Sequence, residues 1–127
     1  MADTRIVSWN MNGLRKNQAS TTDKLAFLDN HFPNAQFDIL ILLETHHKDA
    51  EDLFEYQTSH HLIHTPSQNE TYAGIVVLIS KEFEIEEENA SLPGRLLNFC
   101  IKHTKTKKGY NFSAFYAPQW KSLENLR

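Results

Sequence analysis

Three polar side chains close three apolar stretches of this sequence. Asn10 follows Arg5-Ile6-Val7-Ser8-Trp9, Glu44 follows Ile39-Leu40-Ile41-Leu42-Leu43, and Tyr116 follows Asn111-Phe112-Ser113-Ala114-Phe115. In α/β sheets, ligands bind outside the carboxyl ends of the strands, where loops and strand-end side chains converge. A carboxylate in such a crevice suits a hard cation, which takes oxygen ligands at about 2.0–2.1 Å and keeps several waters. An amide and a phenol beside it suit phosphate oxygens. Local sequence alone leaves the plainer readings open. Glu44 also fits as a surface carboxylate marking where a buried strand emerges, and Tyr116 as an aromatic at a strand end. Asn10 and Asn12 precede Gly13, and asparagine tolerates the left-handed backbone of turns.

The remaining candidates carry less. His46, His47, His60, His61 and His64 invite a zinc reading, and His60 and His64 have helical spacing. Pro66 and branched neighbours favour strand or loop there, and without clustered cysteines the spacing is unspecific; these histidines are expected at the surface. Lys102, Lys105, Lys107 and Lys108 crowd a hairpin tip, where solvated turn residues are the simpler reading. Glu82, Glu84, Glu86, Glu87 and Glu88 form an acidic stretch that would repel a polyanion.

The elements that must position these residues follow from periodicity. Residues 5–9 read as a strand leaving through Asn10-Met11-Asn12-Gly13. Residues 39–43 and 75–79 are continuous apolar runs too short for helices, hence buried strands. Residues 83–86 alternate with period two, as in a half-exposed strand near an edge. Residues 96–102 and 110–116 are strands of a hairpin, and 89–94 a turn or loop. Leu25, Leu28 and Phe32 place a helix over 23–32, stopped by Pro33; a short helix fits 49–56, and a short strand fits 61–64. Strands apolar at every residue must be covered on both faces. Two modest helices cover only one, so an uncovered sheet face and association through it, with a second copy or a partner chain, are expected.

Composition sets wider limits. The chain has 127 residues, 40% of them hydrophobic, a net charge of −3 and one cysteine, Cys100. One domain of ordinary size is expected, with a true domain start at the amino terminus. Mean hydropathy is −0.51, and no apolar run approaches the ~18 residues of a spanning helix, so no membrane role is expected. A lone cysteine forbids an intrachain disulfide and suits a reducing compartment, nucleus or cytoplasm. The weak acidity is silent on nucleic acid.

Four segments in register carry a resemblance. Ile6-Val7-Ser8-Trp9-Asn10-Met11-Asn12-Gly13-Leu14-Arg15, Phe37-Asp38-Ile39-Leu40-Ile41-Leu42-Leu43-Glu44-Thr45-His46, Tyr72-Ala73-Gly74-Ile75-Val76-Val77-Leu78-Ile79, and Gly94-Arg95 leading to Phe115-Tyr116-Ala117-Pro118 resemble the amino-terminal half of the endonuclease/exonuclease/phosphatase family. The Trp-Asn-x-Asn-Gly and Glu-Thr-His forms lean toward exonuclease III-like abasic endonucleases and non-LTR retrotransposon endonucleases.

The resemblance implies an α/β fold: half of a four-layer sandwich, residues 1–127, with one mainly antiparallel or mixed sheet and flanking helices. It implies Mg²⁺, or Mn²⁺ in its place, on Glu44 with Asn12 nearby; phosphate held by Asn10 and Tyr116; Arg15 reaching a DNA phosphate; and Gly74 allowing close backbone approach. The function implied is hydrolysis of DNA phosphodiesters. The family completes its site with an Asp-x-Asn motif, a further aspartate and a terminal Asp-His pair, none of which is in these 127 residues. His103, on the hairpin, is no substitute. Negligible activity of the chain alone is therefore expected. A half-fold kept as a protein-interaction module, or one half of a split nuclease, are the alternatives.

Overall fold

The computed structural model describes residues 4–11, 37–47, 60–67 and 73–116. In chain order its strands are β1 (Ile6–Asn10), β2 (Ile39–Leu43), β3 (His60–Thr65), β4 (Ile75–Ser80), β5 (Phe83–Leu92), β6 (Leu96–His103) and β7 (Gly109–Phe115). They form a four-stranded sheet of order β1-β2-β4-β3 and a three-stranded meander of order β5-β6-β7. β1 lies parallel to β2, from Ile6 opposite Ile39 to Asn10 opposite Leu43, and the other pairs are antiparallel.

The apolar runs stand at the centre of the larger sheet, as two-sided burial requires. Ile39, Ile75, Val77 and Ile79 form one face and pack with Ile63 against Phe83, Leu97, Phe99, Ile101 and Ala114 of the meander. Leu40, Leu42, Val76 and Leu78 form the other face, in a cluster with Met11 and Phe37. All eight sheet residues of β2 and β4 named here are fully buried.

Three expectations change. The single sheet divides into two packed sheets. β4 is paired on both sides, by β2 and β3. The chain reaching β5 through Lys81 and Glu82 therefore has no position beside β4 and passes into a second layer. Strand β6 alternates, with Leu97, Phe99 and Ile101 buried, so the meander lays one apolar face on the sheet. That layer also covers the face expected to be bare: both faces of β2 and β4 are buried, so the uncovered face on which association was expected is not present. The turn expected over 89–94 is also shorter, because β5 continues to Leu92 through register shifts after Ile85 and Asn89.

The expected helices over 23–32 and 49–56 lie outside the described residues. No helix among the described residues is long and apolar enough to cross a membrane. At the hairpin between β6 and β7, the amides of Lys105 and Thr106 donate to His103 Nδ1, each at 3.2 Å. His103 thus closes a turn.

The packing between the layers has a direct test. Phe99 is buried between the sheets and stacks on Phe112 with ring centroids 5.1 Å apart. Phe99→Ala is expected to cost about 3–5 kcal/mol in denaturant unfolding. Phe115, 54% exposed on the same meander, is expected to change stability by no more than ~0.5 kcal/mol as Phe115→Ala.

A pH dependence follows from His60, which is buried and stacks on Phe37 at 4.8 Å. Burial holds its pKa below the usual histidine range, although a backbone hydrogen bond with Phe37 opposes this. The folded state therefore binds the proton less readily than the unfolded chain. The contribution is complete above the unfolded pKa of about 6.5 and is lost as pH falls through the lower folded value. Denaturation midpoints measured from pH 7 downward are expected to fall less steeply in His60→Gln than in the wild-type chain.

Candidate functional site

The rim of the sheet is set by parallel register. Asn10 ends β1 and Leu43 ends β2 directly opposite it, so both chains leave the sheet side by side. The Met11 amide donates to Leu43 O at 2.8 Å, which continues the pairing one step and holds Asn10 beside Glu44.

From Glu44 the chain turns sharply. Glu44 has φ of 56° and His46 of 60°, values that cost an L-residue roughly 1–2 kcal/mol. The turn is held from outside: the Thr45 amide donates to Gly74 O at 3.1 Å and the His46 amide to Ala73 O at 2.9 Å. Ala73 itself has φ of 67° and Gly74 of 94°. Left-handed residues gather at functional sites when neighbouring structure over-determines them, and here three non-glycine examples share one pair of loops. A Cβ on Gly74 would lie 2.6 Å from Thr45 Oγ1 and 3.0 Å from His46 N. The close approach expected of Gly74 is present.

The same backbone reaches the second sheet. Gly74 N donates to Gly94 O at 2.8 Å, and the Tyr116 amide donates to Arg95 O at 2.7 Å. Gly94 N donates in turn to Thr65 Oγ1 at 2.7 Å, a buried bond from the end of β3. A Cβ on Gly94, which has φ of 76°, would meet Pro66 O at 2.9 Å. This succession of bonds joins the end of β2, the start of β4, the turn before β6 and the end of β7. Asn10, Glu44 and Tyr116 consequently emerge at one rim. Asn12 and Arg15 lie outside the described residues.

The histidines depart from expectation. His46, His47 and His60 are buried, not superficial. His47 is enclosed because its ring is satisfied at both nitrogens: Nδ1 bonds Thr45 Oγ1, and Nε2 lies 3.0 Å from His64 Nδ1. The Ser67 amide donates to His47 O at 2.8 Å, which ties β3 to the turn after Glu44. Nothing in local sequence announces a bond between residues 47 and 64. Among the described residues, no group of three or more His, Cys, Asp or Glu is arranged to hold a metal.

His46 is different. Its Nε2 is buried with no hydrogen-bond partner, yet lies 3.6 Å from Glu44 Oε1. That separation is within ion-pair reach but too long for a hydrogen bond.

Two other features are less suited to phosphate chemistry. A groove between β3 and β5 is lined by His61, Ile85, Glu86, Glu87 and Glu88, whose carboxylates repel a phosphodiester. Cys100 lies 3.9 Å from Glu87 Oε2. Burial and then that carboxylate push its pKa up, which disfavours the nucleophilic thiolate.

Comparison with known proteins bears on the family and the fold. Residues 7–119 match the sequence model described as the Endonuclease/Exonuclease/phosphatase family. No curated protein sequence matches the chain. Among solved structures, D. rerio TDP2 complexed with single-strand DNA product is similar at a TM-score of 0.69 and 16% identity, over 93% of this chain and 47% of that one. AP endonuclease LMAP from Leishmania major gives 0.70 and 16%, over 97% and 43%. The human Nocturnin catalytic domain with bound sulfate gives 0.67 and 12%, over 97% and 53%. The chain thus spans about half the length of these structures, and at such identities the likeness is one of fold.

The bond from Gly94 to Thr65 can be tested with a conservative rescue. Thr65→Val leaves the buried Gly94 N–H unpaired and is expected to cost about 1–3 kcal/mol, while Thr65→Ser keeps the acceptor and remains near wild type. Equal unfolding midpoints for Val and Ser would show that the hydroxyl does not hold the turn.

Proposed function

Because the chain belongs to the endonuclease/exonuclease/phosphatase family, we propose that its rim is the cation- and phosphate-binding part of a phosphodiester-hydrolysing site of the DNA endonuclease type. The observation that carries this reading is the backbone succession from Thr45 through Gly74 and Gly94 to Tyr116. It links the backbone that carries a carboxylate in one sheet to the backbone that carries a phenol in the other, although 72 positions separate Glu44 from Tyr116 in the sequence.

The donor set fits a divalent cation. Glu44 offers a carboxylate whose side chain is 19% exposed, and the orphaned His46 Nε2 beside it marks a place where a polar partner is wanted. Glu44 and Asn12 would hold Mg²⁺, or Mn²⁺ in its place. Such a cation, when bound, neutralises the charge that develops on phosphoryl oxygens as water attacks phosphorus. The Tyr116 hydroxyl donates to a phosphate oxygen. The Asn10 amide donates to another and holds the neighbouring carboxylate in line. Arg15 contributes a cationic contact to the nucleic-acid backbone.

DNA is the proposed substrate class, supported by the Trp-Asn-x-Asn-Gly and Glu-Thr-His forms, which lean toward abasic-site and retrotransposon endonucleases. A lone cysteine suits the reducing nucleus or cytoplasm where such a substrate lies. The interaction-module reading is weaker, because the sheet face on which it depended is buried.

The 127 residues include neither an Asp-x-Asn motif nor an Asp-His pair, so binding and turnover are expected to separate. With Mg²⁺, the purified chain is expected to nick supercoiled plasmid no faster than background. Calorimetry with Mn²⁺ is expected to show binding that Glu44→Gln removes, and Tyr116→Phe is expected to weaken binding of inorganic phosphate. Cation affinity unchanged in Glu44→Gln would contradict the site. Robust nicking abolished by Glu44→Ala would contradict the separation of binding from turnover.

A further inference from the structure

Of the two adjacent histidines after Glu44, one is fully engaged and one is not. His47 spends both ring nitrogens on Thr45 and His64. His46 leaves Nε2 buried without a hydrogen-bond partner. Buried polar atoms in native structures are nearly always paired, and an absent ion or water is one of the few reasons for an exception. Here the nearest charge is a carboxylate oxygen, Glu44 Oε1, at 3.6 Å.

That distance is informative from both sides. It is too long for a direct hydrogen bond, and it is shorter than twice the ~2.1 Å over which nitrogen and oxygen ligands hold a small divalent ion. A single ion can therefore touch both atoms. The backbone keeps them in that relation: Glu44 and His46 are both left-handed, and the amides of Thr45 and His46 are fixed on Gly74 and Ala73. The Glu44 side chain is 19% exposed and that of His46 8%, so the carboxylate is the more open of the two donors.

We propose that His46 Nε2 is a protein ligand, beside Glu44 Oε1, for the cation of this site, and that the site consequently prefers Mn²⁺ to Mg²⁺. This rests on the reading of Glu44 as a cation ligand and adds the nitrogen donor. Carboxylate and water serve Mg²⁺ and Mn²⁺ alike, whereas imidazole favours transition metals over a hard alkaline-earth ion. Glu44, Asn12 and His46 would leave the remaining positions to water and phosphate oxygens.

Pulsed electron paramagnetic resonance of Mn²⁺ bound to the full 127-residue chain tests the assignment without any turnover. The expected spectrum contains electron-spin-echo modulation from a directly bound imidazole nitrogen, which changes to the ¹⁵N pattern when histidine is ¹⁵N-labelled. His46→Asn keeps a residue tolerant of positive φ and is expected to abolish the modulation. It should also weaken Mn²⁺ binding by at least the roughly 10-fold that loss of even an outer partner costs a metal site, and weaken Mg²⁺ binding less. Mn²⁺ that is bound, and released by Glu44→Gln, but shows no nitrogen modulation would overturn the inference and leave the cation site standing. Modulation that persists in His46→Asn would likewise overturn it, by assigning another histidine. Mn²⁺ that fails to bind, or binds equally in Glu44→Gln, would overturn the inference together with the reading beneath it. If His46→Asn does not fold, His46→Gln takes its place, and a wild-type spectrum without nitrogen modulation overturns the inference with no variant at all.

Discussion

At Gly74 two loops approach so closely that no side chain fits. Its carbonyl accepts the Thr45 amide, and its own amide donates to Gly94 O. The loop after β2 and the turn before β6 therefore meet across a single residue. A Cβ there would fall 2.6 Å from Thr45 Oγ1, at a φ of 94° that L-residues seldom adopt. Both conditions demand glycine. Glu44 is the residue before Thr45, and Tyr116 is bonded to the residue after Gly94. Placement of the carboxylate relative to the phenol thus passes through this contact.

Burial supplies the rigidity that makes such a contact useful. β2 and β4 are enclosed on both faces, and a closely packed interior transmits displacement instead of absorbing it. Polar chemistry is consequently pushed to the strand ends, where backbone bonds run out and loops take over. The exposed strand β5 meets a different constraint. Among the described residues it is an edge of its sheet, and Glu84, Glu86, Glu87 and Glu88 discourage pairing with another chain. The same charges keep a polyanion from that side of the molecule.

The parts legible in sequence are those governed by local pattern. The runs at 39–43 and 75–79 name buried strands without help from context, and the alternation at 83–86 names an edge. Asn10, Glu44 and Tyr116 are legible because each ends a strand. Gly74 is legible because a glycine leading a buried strand implies close approach. The division into two sheets is not legible, since period-two alternation tells which face is buried and not what buries it. That depended on β3 filling the second side of β4, and a segment with three histidines before Pro66 reads weakly as a strand. Burial of His47 was hidden for a similar reason: its partner His64 lies 17 residues away. Thr65 likewise reads as an ordinary strand residue until Gly94 is seen donating to it. Asn12 and Arg15, drawn from the family resemblance, lie outside the described residues.

Paramagnetic broadening of amide resonances by Mn²⁺ shows whether a single rim gathers the cation site and the phenol. The signals of Thr45, His46, Gly74, Gly94, Arg95 and Tyr116 are expected to broaden together at low Mn²⁺, with those of the hairpin between β6 and β7 unaffected, and the effect to vanish in Glu44→Gln. Broadening centred on Glu84, Glu86, Glu87 and Glu88, or confined to Glu44 and its neighbours without Tyr116, would contradict it.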